Sequence, residues 1–430
     1  MAMTSLQENI EIPRPVTGLQ TNPGTTMQKR ITIDQLRSGM YVHDLNLDWL
    51  SHPFLRSRFL VKSEEDLQKI RATGVRELYI DSALGLDSAE APNRTEIAAN
   101  IEQDVRKLGD GAAKTRPRVS LDEELGRAAQ LQSDARRVVR NMMQDVRLGQ
   151  QVRVEQMEPL VEKMMSSIMR NSGALLSLGQ LKHVDDYTFE HSVNVCALMI
   201  AFCRGMGLSA NETREAGMGA LLHDVGKMKT PLHILNKPGR FTDEEFTIMK
   251  RHPGDGYDIL RDQPSLGEVP LAVVLQHHER IDGTGYPHRR AGGEIAHVAQ
   301  LAAIVDVYDA ITSDRVYHKG IPPGEAIRKL YEWSRFQFDA ELVQKFVRTI
   351  GIYPVGALVR LESGKLGWVT DQHETHLLKP RVKVFYDAKR RNYVPPFDLD
   401  LSQNFGQGGA DRILSGEDPA VWGIDIARVR

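Results

Sequence analysis

Apolar residues recur every three or four positions through the middle of the chain, from about residue 151 to about residue 350. The segments MEPLVEKMMSSIM, HSVNVCALMIAFCRGMG and ETREAGMGALLHDVGK show this spacing, which is typical of helices that bury one face. In FTDEEFTIMKRH, Thr242 and Glu245 predict a capping box at the helix start, and Pro253 predicts that the helix ends at His252. The pattern therefore predicts a mainly α fold with an all-helical domain over residues 151–350.

Shorter runs with a different pattern flank the helical region. Before it, β-branched and aromatic residues broken by Gly, Asp and Asn predict a small β-rich module, for which we expect a regulatory role. After it, GALVRLESGKLGWVT and RVKVFYD alternate apolar and polar residues around turns, which predicts a second small β-rich module. The predicted boundaries are a disordered tail at 1–26, the N-terminal module at 27–85, a linker and helix at 86–150, a C-terminal extension at 351–400 and a tail at 401–430.

Composition narrows the class of protein. The 430 residues, 41% of them hydrophobic and 26% charged, carry a net charge of −2, which argues against a general binder of nucleic acid or membrane surfaces. The apolar run VCALMIAFC ends at Arg204, far short of the ~20 residues that a membrane span needs. The first residues lack a signal pattern, so we expect a cytoplasmic protein. Cys196 and Cys203 lie two helical turns apart, too far for a disulfide, and are predicted to be reduced core residues.

Ten of the 14 histidines fall between His183 and His318, inside the helical region. The pair His223-Asp224 ends one apolar helix and His277-His278 ends another, while Asp306 and Asp309 interrupt the apolar segment IVDVYDAIT. A buried carboxylate without a partner costs several kcal/mol, and a metal ion would supply the missing positive charge. The alternative is that Asp306 forms a core ion pair with one histidine. Imidazole nitrogens and carboxylate oxygens suit Fe, Mn or a comparable octahedral ion better than a structural zinc site.

Four motifs now carry a resemblance to a known family. HDVGK, RHPGDGYDIL, QHHERIDGTGYP and IVDVYDAITSDR, in this order, resemble the HD-GYP family of bacterial phosphodiesterases over about residues 155–350. The first 85 residues resemble the small domain of unknown function that often precedes this catalytic domain. The resemblance implies an all-helical HD domain with two or three metal ions. It also implies hydrolysis of the bacterial messenger cyclic di-GMP to pGpG, and often on to GMP.

The resemblance also implies a set of metal ligands in which Asp224 bridges two ions. Some members add a glutamate four residues before the first histidine ligand, where this chain has Tyr187. Glu190 is adjacent to that histidine, His191, and points about 100° around the helix from it, so we expect it to be a poor metal ligand. We therefore predict two divalent ions, Fe or Mn, which would activate a hydroxide and hold the phosphate oxygens for in-line attack. The implied ligands are His191, His223, Asp224, His252, His277, His278 and Asp306.

Several further side chains are candidates around such a centre. Lys227, which we expect to act with Asp224 in catalysis, would contact the scissile phosphate; the alternative is an exposed lysine favoured by a helix end. Arg315 matches a family arginine that holds the second phosphate or a guanine, and His318 occupies the next basic family position with Lys319 beside it. The tautomer of a histidine ligand needs a partner for its other nitrogen, and the candidates are Glu279, Asp282 and Asp309, which would otherwise be surface or loop-capping residues.

The loop of residues 280–287, called the GYP loop below, directly follows the ligand candidates His277 and His278 and contains two glycines and a proline. Gly283 and Gly285 permit unusual backbone angles and Pro287 fixes the exit, so we expect Tyr286 to be displayed at the substrate site rather than packed. The resemblance implies that this loop shapes the active-site mouth and meets partner proteins such as diguanylate cyclases. The alternative is a rigid loop that supports the metal ligands. Both roles are compatible.

Three functions stay open at the level of sequence. The complete ligand set, Lys227 and the GYP loop favour a cyclic di-GMP phosphodiesterase. Tyr187 and His318 leave room for an HD hydrolase that acts on another nucleotide. The third alternative is a non-hydrolytic cyclic-dinucleotide receptor or protein-interaction scaffold, which loss of ligands would favour; none of the seven is lost. A homodimer is compatible with each of the three.

Overall fold

The computed structural model describes residues 28–47, 58–108, 118–179, 187–314, 319–373, 376–403 and 411–424. It confirms the predicted class, a mainly α fold with a helical core and a small β-sheet at each end. The tail predicted at 1–26 lies outside the described residues.

The described part of the N-terminal module contains an antiparallel sheet in the order β1-β4-β2-β3 and one helix. Helix α1 begins at a capping box between Ser63 and Asp66. It ends at Thr73, and Gly74 follows with a φ of +75°, the left-handed angle that favours glycine after a helix end. The elements are β1 Gln28–Thr32, β2 Tyr41–Asp44, β3 Phe59–Leu60, α1 Glu64–Ala72 and β4 Glu77–Asp81.

Two helices occupy the region predicted as a linker and a helix. Helix α2, Arg94–Leu108, falls within the stretch predicted as a linker, because Ile97, Val105 and Leu108 give it a buried face despite its many charges. Helix α3, Leu121–Arg147, begins after Ser120, whose side chain accepts a hydrogen bond from the Glu123 backbone N–H.

Helix α5 lies at the centre of the helical core, packed against α3, α4, α6, α11 and α13. It carries Cys196 and Cys203, which are buried free thiols as predicted. None of the described helices is long and apolar enough to cross a membrane. The helices of the core are α4 Glu158–Leu178, α5 Tyr187–Gly205, α6 Ala210–Leu222, α7 Leu232–Leu235, α8 Asp243–Met249, α9 His252–Leu260, α10 Glu268–Gln276, α11 His297–Thr312, α12 Pro323–Trp333 and α13 Ala340–Ile350.

One predicted helix boundary is wrong. Helix α8 has the predicted capping box but ends at Met249, and His252 is the first residue of α9 rather than the last residue of α8. Pro253 does not stop a helix here; it lies in the first turn of α9. Proline is tolerated there because the first-turn N–H groups have no partner within the helix.

The C-terminal sheet is antiparallel in the order β8-β7-β6-β5-β9. Strand β9 pairs with β5, so the prediction of a tail over 401–430 is wrong for these residues. The strand is short, and its pairing partner lies far away in sequence, so no local pattern marks it. The strands are β5 Leu358–Leu361, β6 Lys365–Asp371, β7 Arg381–Asp387, β8 Asn392–Asp400 and β9 Ile413–Gly416.

A buried polar cluster joins the N-terminal module to the helical core. The carboxylate of Glu332, on α12, accepts hydrogen bonds from the Tyr79 hydroxyl at 2.5 Å and the Asn46 amide at 3.1 Å. The Trp333 indole donates to the Asn46 side-chain oxygen at 3.0 Å. Burial and the neighbouring Glu332 raise the pKa of Tyr79, so its hydroxyl keeps the proton that it donates. This cluster fixes the module on α12.

Replacement of Glu332 by alanine tests this junction. The variant leaves two buried donors without their acceptor, and we expect the free energy of unfolding to fall by about 2 kcal/mol. Urea denaturation measures the change. Glu341→Ala is the control, because Glu341 lies exposed on α13 with only a surface pair to Lys345, and we expect it to match the unsubstituted protein. Equal stability of the two variants would show that Glu332 does not anchor the module.

Candidate metal centre

The ends of four helices and the middle of a fifth converge on one buried point. His223 caps α6, His277 caps α10, and His252 opens α9. His191 and Asp306 come from the buried helices α5 and α11. Three overlapping groups could each hold a metal ion, with ligand atoms within 4.8 Å of one another, and together they contain every predicted ligand. The groups are His252, His277 and His278; His191, His223 and Asp306; and His223, Asp224 and His277.

The outer nitrogens of three ligand histidines are engaged in the same way. In each, Nδ1 lies 2.8–2.9 Å from the backbone carbonyl oxygen three residues earlier. A carbonyl oxygen only accepts hydrogen bonds, so Nδ1 carries the proton and Nε2 of the neutral ring presents its lone pair. The pairs are His223 with Ala220, His252 with Met249, and His277 with Val274.

His191 reaches the same state through a carboxylate. Its Nδ1 lies 2.7 Å from Asp309 Oδ2, which leaves Nε2 facing Asp306 Oδ1 at 2.9 Å. Of the three carboxylates predicted to orient a histidine, Asp309 is therefore the one that contacts a candidate ligand. This contact also contains the predicted alternative, an ion pair between Asp306 and one histidine.

Lone pairs face one another across the centre. His252 Nε2 and His277 Nε2 are 3.2 Å apart, although both rings carry their proton on Nδ1. Burial lowers the pKa of His252 to about 3 and of His277 to about 4, so at neutral pH no added proton separates these nitrogens. Two lone pairs at this distance repel, and a cation between them removes the repulsion. This favours a metal centre over a simple core ion pair.

Two further ligand atoms point to the same conclusion. Among the described residues, neither His223 Nε2 nor Asp224 Oδ1 has a hydrogen-bond partner, although both are buried. Leaving a buried polar atom unpaired costs about 1–3 kcal/mol. Burial opposes ionisation of Asp224, but His223 and Lys227 outweigh it and hold the pKa of Asp224 well below its usual range. Metal coordination would satisfy both atoms, so the residues present fit a divalent ion.

Lys227 lies at the edge of this cluster. A 3₁₀ turn, Val225–Lys229, follows the Asp224 ligand and brings Lys227 Nζ to 2.6 Å from Asp224 Oδ2. The side chain is only 17% exposed, which disfavours the alternative of a solvated helix-end lysine. Arg147, at the end of α3, belongs to no motif of the sequence, yet its guanidinium lies 3.4 Å from the carbonyl oxygens of Lys227 and Thr230.

The GYP loop folds back on the ligands. The Tyr286 ring packs on His278, with centroids 4.6 Å apart, so Tyr286 is half-buried and not displayed as expected. Its N–H donates to the His278 carbonyl oxygen at 3.1 Å. Gly283 adopts a φ of +74°, and at Gly285 a Cβ would lie 2.4 Å from the Arg280 nitrogen. Both glycines are therefore required, one for its angle and the other for its lack of a side chain.

Glu279 and Asp282 accept hydrogen bonds from backbone N–H groups of the loop segment and, among the described residues, neither orients a histidine ring. This agrees with the alternative prediction that they are loop-capping residues. Glu279 is buried and accepts hydrogen bonds from the backbone N–H groups of His288 at 2.7 Å and Arg290 at 3.0 Å. Asp282 Oδ1 accepts from the backbone N–H and the hydroxyl of Thr284. These carboxylates stiffen the segment that follows the paired histidines.

Lys319 and Glu190 have ion-pair partners outside this set. Lys319 is paired with Asp418, after the last strand of the C-terminal sheet, at 2.5 Å. Glu190 pairs with Arg136 of α3, consistent with the prediction that it is a poor metal ligand. Arg315, His318 and the side chain of Tyr187 lie outside the described residues.

Comparison with protein families places two domains on this chain. Residues 28–157 match the family described as "Domain of unknown function (DUF3391)", and residues 162–342 match the family described as "HD domain". The second range contains all seven predicted ligands and the GYP loop.

Curated relatives extend the comparison to most of the chain. The chain is 46% identical to "Cyclic di-GMP phosphodiesterase PA4108" of Pseudomonas aeruginosa, over 92% of this chain and 94% of the relative. It is 40% identical to "Cyclic di-GMP phosphodiesterase response regulator RpfG" of Xanthomonas campestris, over 33% of this chain and 38% of the relative. It is 31% identical to "3'3'-cGAMP-specific phosphodiesterase 1" of Vibrio cholerae, over 41% of each chain. Among solved structures, the HDG"Y"P protein Bd1817 from Bdellovibrio bacteriovorus matches with a TM-score of 0.44 and 20% identity, over 74% of this chain and 98% of that chain.

Replacing Asp309 by asparagine tests the orientation of His191. The amide keeps the shape but loses the charge that stabilises the Nδ1 proton, and we expect metal affinity to fall about tenfold. Titration of Mn(II) into metal-free protein measures it. Asp258→Asn is the control, because Asp258 lies exposed on α9 beside Arg261. An unchanged affinity in Asp309→Asn would show that this carboxylate does not tune the ligand.

The pH dependence of metal-free stability tests the buried imidazoles. Unfolded histidines bind protons below about pH 6.5, whereas folded His252 and His277 do so only near 3 and 4. Because the unfolded chain then binds more protons, the free energy of unfolding should fall as the pH drops below about 6.5. Urea denaturation between pH 7 and about pH 4 measures this slope, which we expect His252→Gln to reduce. A slope that the variant leaves unchanged would contradict the assignment.

Proposed function

This chain belongs to the HD-GYP family, and from that premise we propose that it is a metal-dependent phosphodiesterase that hydrolyses cyclic di-GMP. The observation that carries the proposal is the buried set of imidazole and carboxylate atoms whose lone pairs face one another. The Pseudomonas aeruginosa relative, named for this activity, matches almost the whole chain and supports the choice of substrate.

The metal chemistry follows from the donor set. We propose two divalent ions, Fe or Mn, because all the ligand atoms are nitrogen or oxygen. Bound there, such ions lower the pKa of a water molecule and neutralise phosphate oxygens. The residues that would hold them are His191, His223, Asp224, His252, His277, His278 and Asp306.

The protein's own groups would bind and orient the substrate. Lys227 places a permanent positive charge beside Asp224, where it would contact the scissile phosphate. We assign Arg315 to the second phosphate or a guanine, with Lys319 joining it when it leaves Asp418. Tyr286 would line the substrate side of the His278 ring. We expect pGpG as the first product, with GMP following if the linear dinucleotide is cut again.

Two other functions are weighed against this one. A related hybrid cyclic dinucleotide is the second candidate substrate, because a Vibrio cholerae relative is named as 3'3'-cGAMP-specific, but it matches only 41% of this chain. A non-hydrolytic receptor would be expected to lose ligands, whereas all seven are present. Diguanylate cyclases as partners of the GYP loop, a homodimer and a cytoplasmic location stay predictions.

Turnover by metal-loaded protein tests the function. Protein purified with little oxygen exposure is loaded separately with Fe(II) or Mn(II), and the nucleotides formed from cyclic di-GMP and from 3'3'-cGAMP are separated over time. We expect pGpG or GMP from cyclic di-GMP, and loss of both turnover and bound metal in Asp224→Ala. Protein that binds two metal equivalents but leaves cyclic di-GMP intact would overturn the assignment.

Lys227→Ala separates phosphate binding from metal binding. Loss of one charge that stabilises the reacting phosphate should lower kcat/KM about 100-fold while metal content stays unchanged. Lys229→Ala is the matched control, since Lys229 lies exposed in the same 3₁₀ turn. If the two variants have the same kcat/KM, Lys227 does not contact the substrate.

A further inference from the structure

The N-terminal module reaches the GYP loop directly. Gly74, in the turn between α1 and β4, lies so close to Thr284 of the GYP loop that a Cβ at Gly74 would be 2.8 Å from Thr284 Cβ. Thr284 is tied in turn to Asp282, whose Oδ1 accepts from its hydroxyl at 2.6 Å and from its N–H at 3.0 Å. The turn of the module therefore rests on a braced part of the loop, with no room for any larger residue at Gly74.

A charge contact lies beside this close approach. Arg76, at the start of β4, places its Nε 3.7 Å from Asp282 Oδ2. The Asp282 side chain is only 10% exposed, so its two oxygens are divided between the loop and the module. The guanidinium thus places a positive charge beside the carboxylate that holds the loop turn.

The inner side of the same loop touches the metal ligands. Two residues after Thr284, the Tyr286 ring packs on His278 at 4.6 Å and lies 6.4 Å from the His252 ring, between centroids. The GYP loop is thus enclosed between the N-terminal module on one side and two ligand histidines on the other. Tyr286 lies only two residues after Thr284, so a shift of Thr284 caused by the module would also shift the Tyr286 ring.

The contact is not needed to attach the module. The Glu332 cluster already fixes the module on α12 through Asn46 and Tyr79. Because Tyr79 lies on β4 and Arg76 immediately precedes this strand, the anchor sets the position from which Gly74 and Arg76 meet the loop. The module is therefore attached to α12 through Asn46 and Tyr79, and it contacts the GYP loop through Gly74 and Arg76.

We propose that the N-terminal module positions the GYP loop for substrate binding, with Gly74 and Arg76 as the positioning residues. Held in this way, Tyr286 stays against His278 and the mouth of the site keeps one conformation. The module also covers Thr284, so a partner protein that binds this side of the loop must first displace the module. The kinetic consequence rests on the proposed function, whereas the ordering of the loop does not.

Hydrogen exchange of the loop amides tests the ordering without relying on activity. Gly74→Ala would push Thr284 outward, and we expect faster exchange at Tyr286, His288 and Arg290 in the full-length protein. Gly39→Ala is the matched control: Gly39 lies in the same module with a φ of +91°, and its added Cβ would meet only the flexible end of Leu86 at 2.8 Å. Both variants place an alanine at a positive φ, but only Gly74→Ala places its new methyl group against the GYP loop.

A charge variant keeps the test independent of the glycine. Arg76→Glu places a like charge beside Asp282 and should also speed exchange at the loop amides. Arg76→Lys should retain most of the protection. Arg71→Glu, on exposed α1 beside Glu64, controls for the change in net charge.

Steady-state kinetics supply the second measurement. If the competent loop population falls to about a third in Gly74→Ala and Arg76→Glu, KM rises about threefold while kcat is nearly unchanged. Faster loop exchange in both variants but not in their controls supports the proposal even if cyclic di-GMP proves not to be the substrate. Exchange in Gly74→Ala and Arg76→Glu that matches Gly39→Ala and Arg71→Glu overturns it.

Discussion

The repulsion between buried nitrogen lone pairs is the constraint on which the centre depends. Helix ends create it, because the last carbonyls of a helix have no partner within the helix and accept the Nδ1 proton of a histidine three residues later. One hydrogen bond thus satisfies a carbonyl and fixes a tautomer. It also aims Nε2 of His252 and His277 at each other. A cation between them would remove this repulsion and stabilise the folded chain, so metal binding would be coupled to folding here.

The wrongly predicted boundary at His252 illustrates why this arrangement is robust. His252 opens α9 instead of closing α8, yet its Nδ1 still reaches the carbonyl of Met249, the last residue of α8. The ligand needs a free helix-end carbonyl three residues earlier, and a break between two helices supplies it as well as a single helix end does. The motif therefore identified a residue of the candidate centre although the local pattern misplaced the helix.

Features that depend on local pattern could be predicted, and features that depend on distant pairing could not. Amphipathic spacing predicted the helical core, and ordered motifs gathered the ligand candidates. By contrast, Glu332 meets Asn46 and Tyr79 from more than 250 positions away in sequence. Lys319 and Asp418 pair across 99 positions of sequence. Tyr286 was expected to be displayed because glycines surround it, but those glycines let the loop turn its ring inward onto His278.

The candidate ligands and the loop beside them are held by contacts of different strength. The ligands are held by buried hydrogen bonds and by the metal that they would share, which are costly to break. The GYP loop beside them is linked to the N-terminal module by a partly exposed ion pair between Arg76 and Asp282. Such pairs contribute only about 0–1 kcal/mol each. A small change in the N-terminal module would therefore move the GYP loop before it disturbed the buried candidate centre.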